Sequence, residues 1–210
     1  MFLKNNIVVQ KYGGTSIGDV DKLKLIAKKV VEKKSEGFFP VVVVSAMGKT
    51  TDELVEMSEK VTFNQTEPDL REKDTLLSTG ELVSATLLAM SIKSLGEEVI
   101  SLSGPQAGIF TDQIHGSARI SDINTERMLN EINKNKILII AGFQGINTEG
   151  DITTLGRGGS DTTAVALAAA LKADVCEIFT DVEGIYTTDP RIVSTARKIN
   201  FINYEDMLEM

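Results

Sequence analysis

Cysteine, histidine and long apolar segments are scarce in this chain of 210 residues, and each scarcity excludes a class of protein. The single cysteine, Cys176, allows no internal disulfide, and its apolar neighbours favour a buried structural thiol over a nucleophile. The single histidine, His115, stands beside a glycine in a predicted loop, which favours a structural role over acid–base catalysis. No uninterrupted apolar run approaches about 18 residues, so neither a membrane span nor a signal peptide is predicted.

Positive charge is also in deficit. Lysine and arginine total 22 against 30 aspartates and glutamates, which gives a net charge of −8 at neutral pH. This balance argues against nucleic-acid binding, which needs a basic face. Phosphate binding is compatible with this negative net charge, because a local group of lysine and glycine residues can make the electrostatic potential positive at one site. With 42% hydrophobic and 25% charged residues, the composition predicts one globular domain, expected in the cytoplasm.

Predicted strands and helices alternate along the chain. Apolar runs predict strands at 7–10, 40–45, 98–102, 136–141 and 175–180, and helical patterns cover 19–34, 51–61, 70–95, 121–133 and 160–172. A polar connection is expected at 64–69, a β-excursion at 106–120 and a hairpin at 145–154 that turns at Glu149-Gly150. Gly80 interrupts the longest helical pattern, which favours a break there. The alternation predicts a mostly parallel sheet between two layers of helices.

A glycine-rich segment followed at once by an alanine-rich run is the most informative stretch. It reads Gly156-Arg157-Gly158-Gly159-Ser160-Asp161 and opens the predicted helix 160–172. Glycines let backbone N–H groups approach an anion, and a helix N-terminus adds about half a positive charge. Arg157 offers a planar fork that fits a carboxylate or a phosphate. An anion site is favoured, although a helix start capped by Ser160 or Asp161 also accounts for part of the pattern.

A second glycine turn follows the first predicted strand, where residues 11–16 read Lys-Tyr-Gly-Gly-Thr-Ser. Its lysine stands at the carboxyl end of the strand, where ligands bind in open α/β sheets. A point charge beside backbone N–H donors suits phosphate, and a solvated lysine in an ordinary connection is the alternative. The segment is not a Walker A loop, because the lysine precedes the glycines. Gly48-Lys49-Thr50 is not one either, because position 43 is a valine.

These two glycine sites and three further segments resemble, in the same order, those of the aspartate kinases (aspartokinases) of the amino-acid kinase superfamily. Residues 11–16 are similar to that family's K-F-G-G-T-S, with tyrosine in place of phenylalanine. Thr79-Gly80-Glu81 resembles its G-E substrate segment. The stretch 106–120 resembles its central segment, 142–161 its second glycine segment and 180–191 its nucleotide segment. The resemblance covers essentially the whole chain, and the shared order of five segments makes it specific.

The resemblance implies a fold and a reaction. The fold is α/β, an amino-acid-kinase-like three-layer αβα sandwich with a central, mostly parallel sheet. The reaction is in-line transfer of the γ-phosphoryl of ATP to the side-chain carboxylate of L-aspartate, giving 4-phospho-L-aspartate, the first step of lysine, threonine and methionine biosynthesis. The acceptor carboxylate is already ionised at neutral pH, so no base is needed. The implied cofactors are ATP and Mg²⁺, with the metal held mainly by phosphate and water.

The resemblance also implies roles for individual residues. Lys11 would bridge the phosphates and Asp161 would hold it in place, as the catalytic pair. An amino-acid substrate carries both charges, and Glu81 and Arg157 would take its ammonium and its carboxylate. Further substrate contacts would come from Ser45, Thr51 and Ser160. The ATP contacts would come from Lys11, Gly13, Gly14, Ser16, Gly158, Gly159, Thr180, Asp181, Tyr186 and Arg191.

Several of these residues can also be explained without any bound ligand. Ser45 and Thr51 also fit a strand end and a helix cap, and Glu81 also fits a solvated acid in the first turn of a helix. The segment 180–191 contains enough turn-forming residues to be an ordinary loop.

The chain is shorter than the aspartokinases it resembles, which usually carry regulatory ACT domains after the kinase domain. We therefore expect residues 1–210 to be the kinase domain, truncated at its C-terminus, of a protein that is a homo-oligomer at full length. Another kinase of the superfamily is an alternative, acting on glutamate, N-acetylglutamate, carbamate or UMP, but an N-acetylated substrate has no ammonium for Glu81. A non-catalytic nucleotide-binding fragment is a second alternative. A dinucleotide-dependent dehydrogenase is excluded, because no G-x-G-x-x-G follows the first strand.

Overall fold

The computed structural model describes residues 6–63, 69–181 and 184–209. It divides the chain into two compact units, one ending at Phe179 and the other beginning at Thr180. Most of the polar connection predicted at 64–69 lies outside the described residues.

The described part of the first unit alternates strands and helices as predicted. The strands are β1 (Ile7–Tyr12), β2 (Phe39–Val44), β3 (Val99–Leu102), β4 (Ile109–Thr111), β5 (Ile120–Ile123), β6 (Ile137–Ala141), β7 (Gln144–Ile146), β8 (Ile152–Thr154) and β9 (Val175–Phe179). The helices are α1 (Val20–Ser35), α2 (Thr50–Val61), α3 (Leu70–Ser94), α4 (Glu126–Asn133) and α5 (Gly159–Leu171). In the second unit a short helix, α6, spans Tyr204–Glu209.

The main sheet is parallel and has the strand order β3-β6-β2-β1-β9. The central strands β2 and β6 read Phe-Pro-Val-Val-Val-Val and Ile-Leu-Ile-Ile-Ala, and apart from Phe39 every residue in them is buried. Continuous apolar runs of this kind are expected where both faces of a parallel sheet are covered. In register, Tyr12 pairs with Val44 and Phe179, and Val44 pairs with Ala141. The carboxyl ends of four strands therefore meet at one edge.

Helices cover both faces of the sheet and complete the three-layer αβα sandwich that the sequence predicts. On one face, α1 and α3 pack Leu23, Ile26, Leu88 and Ile92 against Val42, Val44 and Ile139. On the other face, α4 and α5 pack Met128, Ile132, Leu167 and Leu171 against Val41, Val43 and Ile140. Because adjacent residues of a strand point to opposite faces, the valine run of β2 contributes to both cores.

A smaller sheet, of order β5-β4-β7-β8, lies beside the main one. It contains the predicted β-excursion and the predicted hairpin, in which β7 and β8 pair antiparallel around Gly150 at φ +87°. One prediction is wrong here. The segment 121–133 begins as strand β5, paired with β4, and becomes helical only at Glu126.

Helix α3 is continuous, so the break predicted at Gly80 does not occur. A Cβ atom at Gly80 would lie 2.9 Å from the Cβ atom of Ala46, so the glycine permits a close approach to the loop after β2. Among the described helices, α3 is the one long and apolar enough to cross a membrane. Half of its most apolar stretch is buried within the protein, and its packing on α1 and the main sheet accounts for that composition.

Candidate active site

A cleft of about 610 Å³ lies at the carboxyl edge of the main sheet. Its walls come from the loops after β1 and β2, from α2 and α3, and from the segment that leads into α5. Ten of the residues predicted from the sequence line it: Lys11, Gly14, Ser45, Thr51, Glu81, Arg157, Gly158, Gly159, Ser160 and Asp161. The topology thus brings together segments that are far apart in sequence, at the place where open α/β sheets bind ligands.

An ion pair joins the two glycine segments. The Nζ atom of Lys11, at the end of β1, lies 2.7 Å from Oδ1 of Asp161 in the first turn of α5. The lysine side chain is mostly buried, with 11% exposed, whereas the aspartate side chain is 46% exposed. A Cβ atom at Gly13 would lie 3.4 Å from the lysine Nζ, so the ammonium group rests against this glycine turn. The two glycine segments therefore meet at one edge of the sheet.

The loops after β1 and β2 are held together by their backbones. The Ser45 N–H donates to the Tyr12 carbonyl at 3.2 Å, and the Gly48 N–H donates to the Gly14 carbonyl at 3.1 Å. A Cβ atom at Gly14 would lie 2.7 Å from the carbonyl oxygen of Ala46, so only glycine fits this contact. Ser16 does not line the cleft, and its N–H closes the turn by donating to the Gly13 carbonyl.

Glu81 is a buried carboxylate in the middle of α3, with only 3% of the residue exposed. The alternative of a solvated acid in a helix's first turn is therefore wrong. Its Oε1 atom accepts a hydrogen bond from the Ala46 N–H at 3.1 Å, whereas Oε2 has no hydrogen-bond partner among the described residues. Burial raises the pKa of Glu81 to about 7, against the smaller lowering effect of the Ala46 hydrogen bond. A buried carboxylate with one free oxygen in a cleft is suited to receive a cationic group.

The segment 156–159 requires glycine at each position where it occurs. Gly156 and Gly158 have φ values of +75° and +72°, and a Cβ atom at Gly159 would lie 2.8 Å from the Phe143 ring. Gly158 is the N-cap of α5 and carries no capping side chain, so the alternative of a helix start capped by Ser160 or Asp161 is wrong. The first turn of a helix has N–H groups without intrahelical partners. Gly159, Ser160 and Asp161 of this turn line the cleft together with the exposed Arg157, and the Gly159 N–H donates to the Gly156 carbonyl at 3.0 Å.

Phe143 also lines the cleft, and it was not among the predicted site residues. Its φ of +68° is unusual for a bulky residue. The conformation is held by two hydrogen bonds: the Phe143 N–H donates to Oγ1 of Thr163 at 3.1 Å, and the Leu155 N–H donates to the Phe143 carbonyl at 2.9 Å. Backbone dihedral angles cannot be inferred from a sequence. The position of the phenylalanine directly after Gly142 and a buried strand was only a weak indication of a turn there. The backbone N–H of Ala46 carried no sequence signal at all.

The predicted nucleotide segment 180–191 lies in the second unit. A cavity of about 570 Å³ within that unit is lined by Asp181, Gly184, Tyr186, Thr188, Asp189, Pro190 and Arg191, but not by Thr180. The guanidinium of Arg191 donates to both carboxylate oxygens of Asp189, at 3.1 and 2.8 Å, and lowers the pKa of that acid. The ATP contacts assigned to this segment remain a prediction, and residues 182–183 lie outside the described part of the chain.

The carboxyl edge of this three-layer α/β unit combines two glycine turns, a paired lysine and a helix N-terminus. These features are typical of α/β proteins that bind anions. Comparison with known proteins identifies its family. The amino acid kinase family matches residues 6–210. The chain belongs to that family, and the resemblance found in the sequence is confirmed.

The curated relatives are aspartokinases. The aspartokinase of Geobacillus stearothermophilus is 56% identical over 204 residues, which cover 97% of this chain and 49% of the relative. Aspartokinase 2 of Bacillus subtilis (strain 168) is 53% identical over the same share of each chain. The chain therefore spans about half the length of the curated relatives it matches.

Solved structures give the same result for the fold. The aspartate kinase from Synechocystis superposes with a TM-score of 0.82 and 46% identity, over 96% of this chain and 33% of that one. Aspartokinase III of E. coli in complex with aspartate and ADP superposes with a TM-score of 0.86 and 29% identity, over 97% of this chain and 56% of that one.

Proposed function

We propose that this chain carries the catalytic site of an aspartate kinase. The reaction moves the γ-phosphoryl group of ATP to the side-chain carboxylate of L-aspartate and yields 4-phospho-L-aspartate and ADP. The observation that carries the proposal is one cleft that combines the Lys11–Asp161 pair with a buried carboxylate, Glu81, and an arginine, Arg157. Relatives named aspartokinase at more than half identity, and a neighbour solved with aspartate and ADP, support the same substrates.

Glu81 and Arg157 supply the two charges that recognise a free α-amino acid. The free Oε2 atom of Glu81 accepts the substrate ammonium, and the Arg157 guanidinium takes the α-carboxylate as a bidentate partner. Ser45, Thr51 and Ser160 line the same cleft and complete the polar contacts. This pairing favours L-aspartate over N-acetylated acceptors, because an acetylated nitrogen would leave the buried Glu81 oxygen without a cation.

Lys11 stabilises the transferred phosphoryl group. Its ammonium group is mostly buried and held by Asp161, so it is aimed before the substrates arrive. The N–H groups of the glycine turns at Gly13, Gly14 and Gly158 supply further donors to the phosphates. The Gly159 N–H, which the resemblance also assigned to ATP, already donates to the Gly156 carbonyl at 3.0 Å, so Gly159 contributes close backbone approach instead. The acceptor is an ionised carboxylate, so the site needs alignment and charge stabilisation rather than a general base.

ATP and Mg²⁺ fit the donors present in different ways. The glycine turns, Lys11 and the start of α5 offer N–H and ammonium donors, which suit phosphate oxygens. Among the described residues, no group of three or more histidine, cysteine, aspartate or glutamate side chains is placed to hold a metal. We propose that Mg²⁺ is held mainly by ATP and water, and that when bound it neutralises phosphate charge. The protein is proposed to be cytoplasmic and homo-oligomeric at full length, without a nucleic-acid or membrane partner.

The fold alone does not select the acceptor. Isopentenyl phosphate kinase shares it with a TM-score of 0.71 at 17% identity, which is a likeness of fold only. A coupled assay of ADP release with L-aspartate, L-glutamate, N-acetylglutamate and UMP therefore tests the proposal, and L-aspartate should support the fastest turnover. Faster turnover with another acceptor would replace aspartate as the substrate. ATP binding by calorimetry without turnover on any acceptor would favour the non-catalytic alternative.

A further inference from the structure

We infer that Asp74 is a positioning residue for the amino-acid subsite. Its carboxylate ties the helix that carries Glu81 to the loop that carries Arg157, and so fixes the separation of the two charges that grip the substrate. The inference rests on the proposed function, in which those two residues hold the ammonium and the α-carboxylate of one amino acid. Asp74 belongs to none of the motifs identified in the sequence.

Asp74 is a buried carboxylate outside the cleft, with 1% of the residue exposed. Three polar groups lie within hydrogen-bond distance of it. The Gly116 N–H lies 3.1 and 3.0 Å from its two oxygens, Oγ1 of Thr154 donates at 2.5 Å, and Nδ1 of His115 lies 2.9 Å away. A carboxylate with this many donors is held in one orientation, and it holds its donors in turn.

The donors belong to two segments that border the cleft. Gly116 lines the cleft itself, and Thr154 is the last residue of β8, two residues before the glycine segment that contains Arg157. The Ala118 N–H donates to the Thr154 carbonyl at 2.8 Å, so the two segments are also bonded to each other. They touch again at Gly156, where a Cβ atom would lie 3.4 Å from the Gly116 carbonyl oxygen. Displacing either segment therefore displaces the backbone next to Arg157.

The other end of the connection is helix α3. Asp74 and Glu81 are seven residues apart in this continuous helix, which is two turns and about 10 Å of rise, and so they lie on one face. A continuous helix is stiff over two turns. The path from Glu81 through the helix and Asp74 to Thr154 and on to Arg157 thus contains only backbone and buried hydrogen bonds. This path sets the distance between the two substrate-binding charges.

Two variants and one matched control test the inference. Asp74→Asn keeps an acceptor for the Gly116 N–H but places an amide donor opposite other donors. Thr154→Val removes one donor with little change of shape, and remains informative if the Asp74 variants fold poorly. Ser78→Ala is the control, because Ser78 is equally buried on α3 and its hydroxyl donates to the Thr75 carbonyl of its own helix. Its backbone carbonyl accepts from Nε2 of Gln144, and the alanine variant keeps that bond.

Calorimetry with L-aspartate and with ATP gives the first readout. We expect the dissociation constant for L-aspartate to rise about tenfold or more in both variants and by a clearly smaller factor for ATP, because a misplacement of about 1 Å is enough for such losses. Asp74→Ala should lose more than Asp74→Asn, and Ser78→Ala should match the parent. Unchanged L-aspartate affinity, or equal losses for both ligands, would overturn the inference.

Amide hydrogen exchange gives a second readout that does not depend on any substrate. Exchange at Gly116 and at 156–158 should accelerate in Asp74→Asn and Thr154→Val but not in Ser78→Ala. If the parent does not bind L-aspartate and exchange still accelerates, the proposed function fails while the mechanical connection stands. If exchange at those amides is unchanged, the inference fails whatever the substrate.

Discussion

Replacing Glu81 by glutamine should change how stability depends on pH. Burial raises the pKa of Glu81 from its usual 4.5 to about 7 in the folded protein. The folded state therefore holds a proton between these pH values that the unfolded chain has released. The stability associated with that proton is present below the unfolded pKa and is lost as the pH rises through about 7.

The magnitude follows from the same values. A tenfold change in proton affinity corresponds to about 1.4 kcal/mol, and the pKa of Glu81 rises from 4.5 to about 7, so ionised Glu81 destabilises the folded state by roughly 3 kcal/mol at alkaline pH. Glutamine keeps the acceptor for the Ala46 N–H and carries no charge, so it removes this dependence. At about pH 4 the two proteins should be similarly stable, and at about pH 8.5 the variant should be more stable by about 3 kcal/mol.

Urea unfolding followed by circular dichroism at several pH values measures this difference directly. In the same samples, L-aspartate binding by the parent should strengthen as Glu81 ionises with rising pH, whereas Glu81→Gln should bind weakly at every pH. Free energies of unfolding that change in parallel with pH for the two proteins would refute the reasoning, because Glu81 would then titrate normally.

Three further predictions concern the cleft. Lys11→Met should lower turnover by about 10²–10³ with little loss of stability. The same change at Lys49, which is exposed and lies outside the cleft lining, should have almost no effect on steady-state kinetics. A Lys11→Met variant that kept more than about a tenth of its turnover would show that Lys11 is a binding residue only. Arg157→Ala should weaken L-aspartate binding about 10- to 100-fold and ATP binding far less, as measured by calorimetry, and equal losses would assign Arg157 to the phosphates instead. Gly14→Ala should destabilise the protein by about 1–3 kcal/mol in urea, because its methyl group would meet the Ala46 carbonyl; an unchanged midpoint would show that the two loops can separate.

The layer order of the first unit could be predicted because its signals are local. The valine run of β2 and the apolar run of β6 are continuous, and only strands buried on both faces need such runs. The errors arose where tertiary contacts outweigh local pattern. Ile120–Ile123 pairs with β4 instead of starting a helix, and Gly80 is helical because it packs on Ala46.

Ten of the predicted site residues line one cleft, but the hydrogen bonds that connect its walls were not predicted. The motifs placed Lys11 and Asp161 together because parallel strands end at one edge of a sheet. Nothing local reveals that Glu81 is buried in mid-helix, or that Asp74 reaches Thr154 across 80 positions. Hydrogen bonds of this separation depend on the packing of whole elements, which a single sequence does not display.

The two charges of the amino-acid subsite, Glu81 and Arg157, grip groups that every free α-amino acid carries. On the proposed function, they therefore fix the position of the α-carbon and do not distinguish side chains of different length. The side-chain length that fits is set by the distance from these two residues to Lys11, which belongs to strand β1 and is held by Asp161. Discrimination between L-aspartate and L-glutamate thus depends on the distance between the amino-acid subsite and Lys11. Substitutions of Glu81 or Arg157 should lower the binding affinity for both acids by similar factors.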